Sequence, residues 1–260
     1  MIIDVLNQAL RGRGENTVRQ IFGCTDIGKQ RAINQDAYRF DIGAYPWAVV
    51  CDGMGGPRAG DVASGIGVDV IARTIERGLR PDMTENSVRT LLVTALATAN
   101  TSIHVRAGDD EACAGMGTTA VCALVREGLA HIAHVGDSRA YLVSQDGIEQ
   151  VTRDHSLVQA LVEQGQLTPE QAKVSPDKNM ITRALGVEEE VAVDYGEVYL
   201  GPDDRLLLCT DGLTNLVPDQ ELRQIILSCG PAEAVERLVA RANDYGGIDN
   251  ITAVLIAAEE

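Results

Sequence analysis

The stretch Ala48-Val49-Val50-Cys51-Asp52-Gly53-Met54-Gly55-Gly56 is an apolar run that ends on a carboxylate and then on glycines. A short apolar run bounded by turn signals reads as a buried strand, and the glycines let the backbone that follows approach a ligand closely. A carboxylate at the end of such a strand cannot stay buried without a partner. The same grammar returns at Leu206-Leu207-Leu208-Cys209-Thr210-Asp211-Gly212, and again where residues 131–135 run into Gly136-Asp137. Three strands therefore deliver three carboxylates. Asp249-Asn250 is a fourth candidate, between Gly246-Gly247 and the terminal apolar run 251–258. Most single Asp-Gly pairs are turns, because Asp caps them and Gly supplies positive φ. Asp146-Gly147 is read that way, as a hairpin, whereas the four residues after Asp52 exceed what a tight turn needs.

Outward from these motifs, strand-like runs fall at about 19–25, 36–41, 47–52, 117–125, 129–135, 139–144, 192–200, 205–210 and 250–258. Helical spacing appears over about 60–78 and 84–107, the latter through Val88, Leu91, Leu92, Ala95, Leu96 and Ala99. Further helices are expected near 156–164, 168–173, 219–228 and 231–243, the last opening with Pro231, whose missing N–H costs nothing at a helix start. Blocks of strands joined by turn-length links and interrupted by helix pairs favour an antiparallel α+β architecture over a doubly wound parallel sheet. Residues 1–18, with a short apolar start and then Arg11-Gly12-Arg13-Gly14-Glu15-Asn16, suggest a helical turn leading into an N-terminal extension. The remaining residues, 19–260, are expected to form a single domain, since 260 residues with 45% hydrophobic composition suffice for one substantial core.

The net charge of −16 argues against a nucleic-acid or anionic-membrane surface, both of which reward clustered Lys and Arg. Acidity alone does not imply metal binding. The six cysteines are scattered without a CxxC pair, and of the four histidines only His131 and His134 are close in sequence, so a zinc site is not expected. They read as reduced core thiols of a cytoplasmic protein. Aspartates with glycine carbonyls and water form a hard, oxygen-only ligand set that suits Mg²⁺ or Mn²⁺. Two such ions sharing Asp52 would activate a water and stabilise an in-line displacement, which makes phosphate esters the natural substrate class. Arg31 supplies a guanidinium fork for the phosphate, and Asp36 would orient a metal-bound water.

The ordered set Asp26–Asp36, Asp52-Gly53-Met54-Gly55-Gly56 with Gly60 and Ala63-Ser64, Gly115-Met116-Gly117-Thr118-Thr119, Gly136-Asp137-Ser138-Arg139, Asp211-Gly212 and Asp249-Asn250 resembles the PP2C (PPM) family of metal-dependent protein phosphatases in its bacterial form. The resemblance spans about residues 19–258. It implies a central sandwich of two antiparallel sheets flanked by helices, with metals in a cleft at one end. By position it implies that Asp52 bridges two Mn²⁺ or Mg²⁺ ions, that Gly53 offers a carbonyl, and that Asp211 and Asp249 complete the set. Asp36 would hold a metal-bound water, Arg31 the phosphate, and Asp137 with Asp211 a weaker third ion. Residues 156–182 fall where the family has a flap beside the cleft. The implied activity is hydrolysis of phosphoserine and phosphothreonine in proteins, opposing a Ser/Thr kinase and acting on that kinase's substrates; we expect a monomer.

Three positions depart from the family's pattern. Gln35 stands where many members have a metal-binding Glu, Met54 where eukaryotic members have His, and Ile248 where bacterial members commonly have Pro. Met54 cannot donate a proton, so the leaving group's acid is unassigned. His155 reads as a helix-start residue and is left out of the site. Three rival readings are a serine hydrolase built on Gly136-Asp137-Ser138, a nucleotide-binding loop at 53–60, and a catalytically silent phosphoprotein-binding module. The first lacks the helix that a nucleophile elbow requires, the second lacks the P-loop lysine, and the intact aspartates and Arg31 argue against the third.

Overall fold

The computed structural model describes residues 2–4 and 18–259. Twelve strands are described: β1 (Ile2–Asp4), β2 (Val18–Asp26), β3 (Asp36–Asp41), β4 (Trp47–Met54), β5 (Gly117–Thr118), β6 (Ala120–Arg126), β7 (Leu129–Val135), β8 (Arg139–Val143), β9 (Ile148–Gln150), β10 (Asp194–Tyr199), β11 (Arg205–Cys209) and β12 (Ile251–Glu259). They form two antiparallel sheets, one in the order β1-β2-β12-β11-β8-β9 and one in the order β10-β7-β6-β4-β3, with β5 paired to β4. The helices are α1 (Gly56–Gly78), α2 (Glu85–Asp109), α3 (Leu157–Glu163), α4 (Pro169–Lys173), α5 (Asp211–Thr214), α6 (Asp219–Ser228) and α7 (Pro231–Asp244). The expected α+β sandwich with flanking helices is therefore the observed one.

Strand alternation builds the layers. In β4, Trp47, Val49 and Cys51 face α1 and α2, where they meet Ile71, Ile75, Leu92 and Leu96. Ala48 and Val50 face the opposite way, into the sandwich interior with Val121, Leu206, Leu208, Val254 and Ile256. The outer face of the first sheet presents Leu207, Cys209 and Leu255 to Leu222 of α6 and Leu238 of α7. Each fully buried Val, Leu or Ile contributes roughly 1.5–3 kcal/mol.

Several details differ from expectation. The run 117–125 is broken at Thr119, with Gly117–Thr118 pairing β4 and Ala120–Arg126 pairing β7. Within 1–18, Ile2–Asp4 is a strand on β2 rather than a helical turn; residues 5–17 of the expected extension lie outside the described residues. The Asp146-Gly147 hairpin forms, with the Ser144 N–H donating to the Gly147 carbonyl at 2.9 Å. No helix among the described residues is long and apolar enough to cross a membrane.

Candidate active site

Antiparallel register collects the chemistry at one end of the sandwich. Cys209 at the end of β11 lies opposite Arg139 at the start of β8 and opposite Ala253 in β12. Asp36 at the start of β3 lies opposite Asp52 near the end of β4. The residues that leave these strand ends meet in a cleft of about 600 Å³, lined by Arg31, Asp52, Gly53, Asp137, Asp211 and Asp249. Gln35, Met54, Thr119, Asn179 and Ile181 complete much of its wall.

The Asp52 loop is held by its backbone. The Asp52 carbonyl accepts from Thr118 Oγ1 (2.8 Å) and from the Thr119 N–H (2.9 Å), and its own N–H donates to Thr119 Oγ1 at 3.0 Å. The carboxylate is thus left for other work. Gly53 packs against the Gly60 carbonyl, where a Cβ would collide, so glycine is required there by a contact within the protein's own backbone.

Asp36 does not line the cleft. It sits behind Asp52, where its Oδ2 accepts from Thr210 Oγ1 (2.9 Å) and Thr252 Oγ1 (2.7 Å), tying the second sheet to the first. Its Oδ1 is buried without a partner. Arg31 and Asp249 are paired with each other at 2.6 Å, with the arginine side chain half exposed. The loop that carries Arg31 is clamped by Asn250, whose Nδ2 donates to the Ile27 and Ile33 carbonyls (2.9 and 3.0 Å) and whose Oδ1 accepts from the Gln35 N–H at 2.8 Å.

Burial dominates the electrostatics. It raises Asp36 to about 7, Asp137 to about 8 and Asp211 to about 6, with the neighbouring carboxylates adding repulsion in each case. Asp52 is pushed well above the ordinary carboxylate range by burial and then by Asp36, Asp211 and Asp137. Arg139 partly relieves Asp137 and Asp211, yet its guanidinium is committed to Asp154 at 2.7–3.1 Å. Carboxylates this deeply buried beside one another are sustained only with protons or cations among them. The donor set fits hard divalent cations: oxygen-only, clustered, with the buried Asp36 Oδ1 unsatisfied.

Ser138 is buried and its hydroxyl is bonded to Thr119 Oγ1 at 2.7 Å, and a strand follows it, so the serine-hydrolase geometry is absent here. Burial raises the thiols of Cys122 and Cys209 to about 12, which leaves them inert. Sequence reasoning missed Thr210, Thr252 and the bracing role of Asn250. Their partners lie 174 to 223 residues away, and Thr210 and Asn250 stand in the quoted motifs only as neighbours of Asp211 and Asp249. The 156–182 segment is pinned at its base, where the Leu157 N–H donates to the Met180 carbonyl and the Thr182 N–H to the His155 carbonyl, both at 2.8 Å. Asn179 and Ile181 are the parts of it that reach the cleft.

Residues 28–255 match the model of a family described as Protein phosphatase 2C. The chain is 41% identical over 240 residues to "Protein phosphatase PhpP" of Streptococcus pneumoniae, covering 91% of this chain and 96% of that one. Its structure is similar to that of the serine/threonine phosphatase Stp1 from Staphylococcus aureus, with a TM-score of 0.87, 36% identity, and coverage of 96% and 100% of the two chains. It is also similar to the catalytic domain of the serine threonine protein phosphatase PstP in complex with 2 manganese ions, with a TM-score of 0.80, 32% identity, and coverage of 94% and 99%.

Proposed function

The chain belongs to the Protein phosphatase 2C family and is a protein serine/threonine phosphatase, and on that premise we propose that its carboxylate cleft holds two Mn²⁺ or Mg²⁺ ions and hydrolyses phosphoserine and phosphothreonine. The observation that carries this reading is the convergence of Asp52, Asp137, Asp211 and Asp249 on one cleft, with Asp36 buried behind them and an unpartnered oxygen on it. A neighbour of the same fold is described with two manganese ions. When bound, such a pair supplies an acidified water and neutralises charge on the phosphoryl oxygens.

This chain's residues do the rest. Asp52, the Gly53 carbonyl, Asp211 and Asp249 would hold the two ions, and Asp137 with Asp211 would hold a weaker third. Asp36, held by Thr210 and Thr252 behind Asp52, would reach a metal-bound water only through its unpartnered Oδ1. Arg31, which lines the cleft beside Asp249 at 2.6 Å, would grip the phosphate. Met54 lines the cleft without an ionisable group, so no side chain at that position protonates the leaving oxygen. Substrates are phosphoproteins; a Ser/Thr kinase and its substrates, a cytoplasmic location consistent with free thiols, and a monomeric state complete the proposal. A silent binding module would have no use for so costly a cluster of carboxylates.

The test is hydrolysis of a phosphothreonine peptide, which is expected to require added Mn²⁺ and to vanish in excess EDTA. Undiminished activity in EDTA would overturn the metal assignment. Arg31→Ala is expected to raise KM roughly 10- to 100-fold, the equivalent of losing charge-assisted hydrogen bonds, with kcat less affected. Arg31→Lys should restore only part of it, because an ammonium cannot make the bidentate contact. An unchanged KM in Arg31→Ala would remove Arg31 from phosphate binding.

A further inference from the structure

His134, His155 and Asp194 place ligand atoms within 4.8 Å of one another, and none of the three lines the carboxylate cleft. They resemble a metal site, but the donors are already committed. His134 Nε2 lies 2.8 Å from the Arg153 carbonyl, and His155 Nδ1 lies 3.0 Å from the Gly136 N–H. The Arg183 guanidinium stands where a cation would, 2.7 Å from Asp194 Oδ1 and 3.0 Å from His155 Nε2.

The hydrogen-bond directions assign the imidazole. A backbone N–H only donates, so His155 Nδ1 accepts and the neutral ring carries its proton on Nε2. Asp194 Oδ2 lies 3.3 Å from His155 Nε2, the carboxylate oxygen within reach of this Nε2–H. Arg183 cannot donate to a protonated Nε2; its hydrogens go to Asp194 Oδ1 and to the Ala192 carbonyl at 3.0 Å. Burial, followed by the stacked ring of His134 at 4.8 Å, lowers His155 to about 4, in keeping with a neutral ring.

His155 holds Gly136 twice. Its side chain takes the Gly136 N–H, and its own backbone N–H donates to the Gly136 carbonyl at 3.0 Å. Gly136 has φ +102, and a Cβ there would press on Thr119, so the turn is set tightly just before Asp137. The His155 carbonyl also accepts from Thr182 at the far end of the 156–182 segment.

We propose that His155 is a positioning residue: kept in its Nε2–H tautomer by Asp194, it clamps Gly136 and so fixes where Asp137 presents its carboxylate, while joining both ends of the 156–182 segment to that loop. The proposal rests on the reading of Asp137 as a ligand of the cleft. Asp194 and Arg183, from the far side of the segment, complete the relay.

The first experiment is ¹⁵N NMR of the histidine rings in the metal-free chain, where His155 is expected to show Nε2–H and a proton-free Nδ1. A proton on Nδ1 would overturn the proposal whatever the activity data say. The second compares variants that differ in which nitrogen they replace. His155→Asn sets an acceptor oxygen near the Nδ1 position, whereas His155→Gln replaces only the Nε2 end. His155→Gln and His155→Ala are expected to raise the Mn²⁺ concentration for half-maximal phosphopeptide hydrolysis about 10- to 100-fold, the usual effect of losing a support behind a metal ligand. His155→Asn should recover most of the wild-type Mn²⁺ response. The two amide variants keep the comparison alive if His155→Ala fails to fold, and equal defects in both would overturn the proposal.

A double-mutant cycle separates this proposal from the reading of Asp137. His155→Gln combined with Asp137→Asn is expected to be no worse than Asp137→Asn alone. Defects that multiply would overturn the role of His155 and leave Asp137 standing. A wild-type Mn²⁺ response in Asp137→Asn would overturn both.

Discussion

Asp52→Asn is expected to lower kcat/KM for a phosphothreonine peptide at saturating Mn²⁺ by at least ~1000-fold, about 4 kcal/mol of transition-state stabilisation. The substitution is nearly isosteric, and the hydrogen bonds that hold the loop come from the Asp52 backbone to Thr118 and Thr119, not from its carboxylate. What is lost is charge at the point where the cleft's carboxylates converge. The same substitution removes a buried carboxylate that Asp36, Asp211 and Asp137 repel, so in EDTA near neutral pH the variant should melt above the wild type. Thermal unfolding by circular dichroism and peptide turnover measure the two effects on one sample. A variant that keeps activity within tenfold of wild type would remove Asp52 from the metal set. One that loses activity together with stability would show that the loss is structural.

In EDTA the wild-type protein should become less stable as pH rises, the reverse of ordinary acid denaturation. Unfolded carboxylates titrate near pH 4, whereas burial and mutual repulsion hold Asp36, Asp137 and Asp211 at about 7, 8 and 6 in the folded chain. Between those limits the folded state binds more protons than the unfolded state, so unfolding free energy falls with pH. The contribution is fully present below about pH 4 and is lost as pH climbs through the folded values. Added Mn²⁺ is expected to invert the trend, because metal ligands must be deprotonated and affinity therefore rises with pH. At 100 times its Kd one ion adds about 2.7 kcal/mol, which for a domain of this size raises Tm by roughly 5–10 °C. Melting curves at about pH 5 and about pH 8, with and without Mn²⁺, give the four numbers needed. A Tm in EDTA that rises over this range, or a Mn²⁺ shift no larger at the higher pH, would contradict carboxylates held protonated by the fold.

Much of the architecture was legible from local pattern. The run 36–41 is β3 to the residue, and the helical spacing of Val88, Leu92, Ala95, Leu96 and Ala99 is the buried face of α2. Such features depend on neighbours three or four residues away, which a single chain displays directly. The short strand β9 and the one-turn helix at Asp211–Thr214 escaped notice because neither is long enough to show a period. The local sequence makes His155 a helix-start residue, and it does precede Ser156, the N-cap of α3. Its burial and its hold on Gly136 depend on packing against a different strand end, which local composition does not encode.

The site divides along the same line. Residue type alone determined that carboxylates at strand ends, a glycine-opened loop and an arginine were present, and that their chemistry suits hard cations and phosphate. Only the tertiary structure decided that Arg31 pairs with Asp249 across 218 residues of chain, and that Asp36 stands behind Asp52 on two threonines from the other sheet. It also decided that the carboxylates raise one another's proton affinity. The physical reason is that ligand type is a property of one side chain, whereas distance, desolvation and charge coupling arise only when register and sheet packing bring remote strand ends together.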